Sequence, residues 1–159
     1  MIDSVVQAAL DAVMKEILER MFFLDAENLT EPVSLVMGSV IEAEVAFAGQ
    51  RPGSLRIRIA EPAARSLAAD FLGLDSSELS NEQIGEVICE LANMFCGSLL
   101  SRLESTVNFN LSSPKLVDEP VHREEPGCII HSVQTPNGEI TAIFNSENSL
   151  CPIHGKFGY

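Results

Sequence analysis

The sequence predicts an α+β domain, a mainly antiparallel sheet covered by two long helices and a shorter one, in two roughly similar halves. Two apolar stretches of about twenty residues repeat at helical spacing. Two pairs of short runs alternate apolar and polar residues around turn signals, which is the mark of hairpins. The order of helix, hairpin and short helix, then long helix, strand and hairpin, supplies the two halves, although no residue motif recurs between them.

From Ser4 to Phe23, Val6, Ala9, Leu10, Val13, Ile17, Leu18 and Met21 recur every three or four residues and form one helical face, with Asp3 or Ser4 available as a cap. In IEAEVAF, Ile41, Ala43, Val45 and Phe47 alternate with Glu42, Glu44 and Ala46; in SLRIRIA, Leu55, Ile57 and Ile59 alternate with Arg56 and Arg58. This is a hairpin with one wet face. In EPAARSLAADFLG, Pro62 suits a first helical turn and Gly73 a C-terminal cap. Ser80 with Gln83 makes a capping box opening a long helix that runs to Leu103 or Glu104. TVNFNL, GCIIHSVQ and EITAIF then read as strands, and Asn137–Gly138 in TPNGE as the tight turn between the last two. CPIHGKFGY reads as an exposed tail.

The 159 residues suit a single domain, 1–159, with room for a core. The composition, 46% hydrophobic with only 6% aromatic, is that of a folded chain with an aliphatic interior. A formal charge of −13, from 23 acidic and 10 basic residues without a basic cluster, argues against nucleic acid and anionic membranes as partners. Cys89, Cys96, Cys128 and Cys151 have no framework spacing, and the N-terminal run carries charges at Asp11, Lys15, Glu16, Glu19 and Arg20. A reduced, cytoplasmic protein without a signal peptide or membrane span is expected.

The long central helix holds the residues that need explaining. On a wheel of about 100° per residue, Ile84, Val87, Ile88, Leu91, Phe95, Ser98 and Leu99 gather on the core side. Glu86, Glu90, Asn93 and Gly97 fall opposite, within roughly 60° of one another. Relative to Ala, Asn costs about 0.5 kcal/mol and Gly about 1 kcal/mol inside a helix, so a merely solvated face gains nothing from them. Gly97 suits a close approach by another molecule, and Asn93 offers a donor and an acceptor on a short side chain. Met94 and Leu100 flank the stripe with apolar area. The plainer alternative is that Glu86 only solvates the helix, that Asn93 is tolerated, and that Gly97 permits internal packing.

GEVICELANMFCGSLL resembles the signature helix of the CheC, CheX and FliY family of bacterial chemotaxis phosphatases: a Glu, two residues, an Asn, and about twenty residues later a Pro, here Glu90, Asn93 and Pro114. The Asn-Met pair and Gly97 resemble the CheX branch, and the element order agrees along nearly the whole chain, which implies a CheC-like fold. Glu86 stands where the family usually has Asp or Ser. The first helix gives only Glu16 with Glu19, or Glu19 with Phe22, so no second copy of the motif is present and one site per chain is implied.

The resemblance implies hydrolysis of the aspartyl phosphate of a CheY-like response regulator. Asn93 would hold the attacking water and Glu90 would pair with the receiver's lysine, with Glu86, Met94 and Gly97 shaping the docking surface. The chain would need no cofactor of its own, Mg2+ arriving with the receiver, and a homodimer is implied. The main alternative is a non-catalytic module of the same fold, as in flagellar switch proteins such as FliM. A lesser one is a metal site using Cys151 and His154, with Cys128 and His131, although the latter pair would point to opposite faces of a strand. Cys89 and Cys96 read as packing residues, with no neighbouring cation to activate them.

Overall fold

The computed structural model describes residues 2–22, 24, 26–28, 39–49, 52–103, 109–117 and 128–146. The expected strand residue Val107 and the tail with Cys151 and His154 lie outside them. The elements run α1 (Ile2–Phe22), β1 (Glu27–Asn28), β2 (Val40–Ala48), β3 (Gly53–Ala60), α2 (Glu61–Leu72), a 3₁₀ turn at Ser76–Glu78, α3 (Asn81–Leu103), β4 (Asn110–Leu111), β5 (Lys115–Leu116), β6 (Ile129–Thr135) and β7 (Gly138–Ser146).

All strands join one antiparallel sheet in the order β1-β6-β7-β3-β2-β4, with β5 also on β2. The hairpins β2–β3 and β6–β7 meet along β3 and β7 at its centre. Each short strand that follows a long helix crosses to the other half: β1, after α1, pairs with β6, and β4, after α3, pairs with β2. The two halves are therefore interlocked around a pseudo-twofold relation. This is the α+β architecture expected.

The alternation in each hairpin sends Ala43, Val45, Leu55, Ile57, Ile140, Ala142 and Phe144 to one face, where they are buried beneath the helices. Helix α1 lies against β6 and α3 against β2, and the two helices also pack on each other. Under α1, His131 is buried and committed: its Nε2 lies 3.1 Å from Asp11 Oδ1 and its Nδ1 lies 2.9 Å from Gln7 Nε2, which also donates to the Ile130 carbonyl at 2.9 Å.

The helix boundaries follow their chemistry. Pro62 stands in the first turn of α2, and Gly73 ends it at φ 70°, donating its N–H to the Ala69 carbonyl. At α3 the Gln83 N–H donates to Ser80 Oγ at 3.1 Å and the Ser80 N–H to Gln83 Oε1 at 2.9 Å, the reciprocal box expected. Helix α1 already begins at Ile2, so Asp3 and Ser4 lie inside it and neither is its cap. Although α3 has the length and hydropathy of a membrane span, most of its apolar surface is turned into the protein core.

Three further expectations are corrected. The second face of the β2–β3 hairpin is wet only in part: Ala46 is exposed and Glu44, Arg56 and Arg58 are half-buried, but Glu42 is fully buried, held by Arg58 Nε at 2.8 Å and Arg56 Nη1 at 2.9 Å. The opposed charges sit across the hairpin, Glu42 directly opposite Arg58, so they neutralise one another instead of facing water. The last hairpin turns one residue earlier than expected. Thr135 pairs with Gly138, leaving Pro136–Asn137 as the loop, and Thr135 Oγ1 accepts from the N–H groups of Asn137 and Gly138. Gly138 alone carries the left-handed demand there, at φ 142°. Finally, the strand expected at TVNFNL continues through Pro114 as β4 and β5. Three residues, Ser112–Pro114, stand opposite Val45 and Ala46, which makes a bulge where a proline without an N–H is tolerated.

Candidate functional site

The sheet fixes one side of α3 and leaves another open. Gly85, Ile88, Leu91, Ala92, Phe95, Cys96 and Leu99 are buried, an arc wider than a single stripe because the helix packs on α1, α2 and the sheet together. Glu86 and Glu90 project from the opposite side and are exposed, and Asn93 between them and Gly97 is half-buried. Glu90 and Asn93 are one turn apart, so a carboxylate and a carboxamide stand side by side on a rigid rod. Among the described residues, no ion pair or side-chain hydrogen bond engages either group.

The surroundings of that pair differ on its two sides. Toward the ends of α1 and α2 lies a groove of about 420 Å3 lined by Met21, Phe71, Leu72, Gln83, Glu86, Val87, Glu90 and Met94. Toward the C-terminal half of α3 lies a polar hollow lined by Glu16, Gly97, Ser98, Ser101 and Arg102, in which Glu16 Oε2 meets Arg102 Nη2 at 3.4 Å. Glu86, Glu90 and Met94 thus share one groove, while Gly97 belongs to the next hollow.

Several wheel assignments are revised here. Ser98, expected in the core, is exposed, and Leu100, expected beside the outward stripe, is buried. A wheel collapses the helix axis. Leu100 shares the direction of Asn93 but lies about 10 Å further along, where the fold closes over it. Met21, placed on the buried face of α1, is 46% exposed and lines the groove. Gly97 faces its own chain: a Cβ there would meet Leu111 Cδ1 at 3.8 Å, an ordinary contact that leaves room for a small side chain. The tight approach is at Gly85, where the same added atom would lie 2.7 Å from Leu116 Cδ1. Pro114, in the bulge between Leu111 and Leu116, therefore belongs to the edge that lies along α3.

The cysteines offer no nucleophile on this face. Burial pushes the Cys96 thiol up to about 12, and burial, then the Glu86 carboxylate, raise that of Cys89. Among the described residues, no three His, Cys, Asp or Glu side chains converge as they would around a metal ion.

Residues 41–130, more than half of the chain and including all of α3, match the family model of the chemotaxis phosphatase CheX. The chain belongs to the CheX family. Solved CheX structures share its fold. The Vibrio vulnificus chemotaxis protein CheX superposes with a TM-score of 0.72 at 23% identity, over 89% of this chain and 96% of that one. CheX from Desulfovibrio desulfuricans gives 0.71 at 18%, over 89% and 99%. The Borrelia burgdorferi CheX in a CheX–CheY–BeF3–Mg2+ complex gives 0.69 at 16%, over 87% and 96%. Comparison with curated sequences returns no match. Glu86, Glu90, Asn93, Met94 and Gly97 all fall within the matched residues.

Proposed function

We propose that this chain accelerates hydrolysis of the aspartyl phosphate on a CheY-like receiver, with Asn93 positioning the attacking water and Glu90 docking to the receiver's lysine. The observation that carries this reading is the pair itself, a free carboxylate and carboxamide one turn apart on the open side of α3. The chemistry asks little more of the visitor. An acyl phosphate is already activated, and the receiver supplies the divalent metal and the lysine that balance charge on the transferred group, so placing one water in line is the missing contribution. A carboxamide suits this because it accepts and donates without becoming charged. Glu90 then sets the register through a charge-assisted contact. The family membership supports the phosphatase class, and the CheY complex of a similar protein supports the receiver as client and as the source of Mg2+. The same reading places the protein in the cytoplasm, where receivers work.

The test is phosphate loss from a phosphorylated receiver with and without the chain. Acceleration supports the proposal; binding of the receiver without acceleration would mark a non-catalytic module instead.

Gly97 enters this reading as a docking position. Gly97→Ala is expected to raise thermal stability, by up to about 1 kcal/mol, because Ala is the better helix former and Leu111 leaves space for it. The same variant is expected to slow receiver dephosphorylation if the receiver's backbone approaches there. A variant both more stable and fully active would remove Gly97 from the docking surface.

The homodimer belongs to the proposal too. Among the described residues both ends of the sheet are short edges, β1 on one side and β4–β5 on the other, and these would join two copies. Light scattering at a mass of one chain across the working concentration range would rule the pairing out.

A further inference from the structure

Met21, Phe71, Leu72, Val87 and Met94 form an apolar groove that the proposed chemistry does not use. Its exposure is substantial: Met21 is 46% and Leu72 41% exposed, and both come from the last turns of helices that could have ended in polar residues. The groove is continuous with the proposed site, because Glu90 and Met94 belong to its lining. Among the described residues its ionisable lining is of one sign, Glu86 and Glu90, without a Lys or Arg. An apolar floor beside two carboxylates selects an apolar side chain carried next to positive charge.

We infer that this groove is the specificity pocket for the client receiver: it takes one apolar side chain of the receiver, and Glu86 pairs with a second cation beside it. The inference rests on the proposed function. Glu86 and Glu90 lie four residues apart, about 6 Å along the axis, so the receiver must present its second Lys or Arg about that far from the lysine that meets Glu90. A negative or wholly polar surface at that place would be refused, through repulsion by Glu86 and through desolvation of the groove without replacement contacts. The groove thus discriminates among receivers whose phosphorylation sites are alike.

The experiment uses the full chain and a CheY-like receiver, measuring dephosphorylation kinetics and, separately, affinity for the receiver loaded with beryllofluoride and Mg2+. Leu72→Glu and Met21→Glu, each at an exposed position, are expected to weaken affinity and raise KM by about tenfold or more while kcat stays within about twofold, as for loss of an interface anchor. Glu86→Lys is expected to weaken binding similarly, and Glu86→Gln less. Val5→Glu adds the same charge at an apolar position 61% exposed on the first turns of α1, and is expected to change neither parameter. Groove variants that keep the parent's affinity and KM overturn the inference, and if Asn93→Ala still abolishes turnover the proposed function survives that result. Groove variants that weaken binding while Asn93→Ala turns over normally do the reverse. Variants that change only self-association assign the groove to a second copy of the chain and also overturn the inference, as does a receiver that fails to bind at all.

Discussion

Asn93→Ala is expected to lower the rate of receiver dephosphorylation at saturating protein by about a hundredfold or more, since even modest misplacement of an attacking group has that cost. It should retain measurable binding, because the residue's task is the water and not the grip. Glu90→Ala should lose both. A charge-assisted contact contributes about 1.5–3 kcal/mol, which is roughly ten- to a hundredfold in affinity, and without it the helix is no longer held in register for Asn93 to act. Single-turnover decay of phosphorylated receiver, titrated with each variant, separates the two effects. Parent-like decay by both variants would mean that the reacting face of this protein lies elsewhere. Among the described residues neither side chain makes a hydrogen bond or ion pair, so their removal should leave the fold intact, and an unchanged melting curve is the control.

The largest stability effect is expected at Glu42. Its carboxylate has no exposed side-chain surface and accepts from Arg56 and Arg58, whose side chains are only 16% and 13% exposed. Replacing Glu42 by Ala leaves two guanidinium groups with their shared counterion gone. Breaking a buried pair in this way costs about 3–5 kcal/mol, or a fall in Tm of about 10 °C for a chain of this size. Glu42→Gln should lose less, because the amide oxygen still accepts one hydrogen bond, although it cannot serve two donors as an anion does. Urea unfolding of the three proteins measures the differences. A loss below about 1 kcal/mol for Glu42→Ala would place the cluster in the weak class of solvent-screened pairs.

Much of this architecture was legible because local signals agreed. Alternation in IEAEVAF and SLRIRIA set the hairpin register, and Ser80, Gln83 and Gly73 marked helix ends through hydrogen bonds made within a few residues. What was missed depends on neighbours distant in sequence. The Glu42 cluster was half visible, since a Glu-rich strand facing an Arg-rich one in a hairpin already pairs opposite charges, but its burial is a property of the assembled sheet. The bulge at Ser112–Pro114 needed β2 as a ruler.

In the candidate site, the outward direction of Glu86, Glu90 and Asn93 followed from helical geometry alone. The groove beside them did not. Met94 was singled out, but Met21 and Leu72 come from two other helices, and Met21 fits the apolar repeat of α1 so well that periodicity placed it inside. Ser98 and Leu100 show the same limit from the opposite side: which way a residue points is local, while what covers it is not.

The crossing of β1 and β4 into opposite halves also governs how the chain reaches its native state. Contacts such as Glu27 with Gln134 and Gly53 with Ser146 join residues far apart in sequence, so neither half completes its sheet while the other is still being synthesised. Closing such long loops costs entropy before any pairing rewards it, and topologies of this kind fold slowly for their size. Emergence of the second hairpin, and not of the first, is then the event that permits the central pairing of β3 with β7 to form.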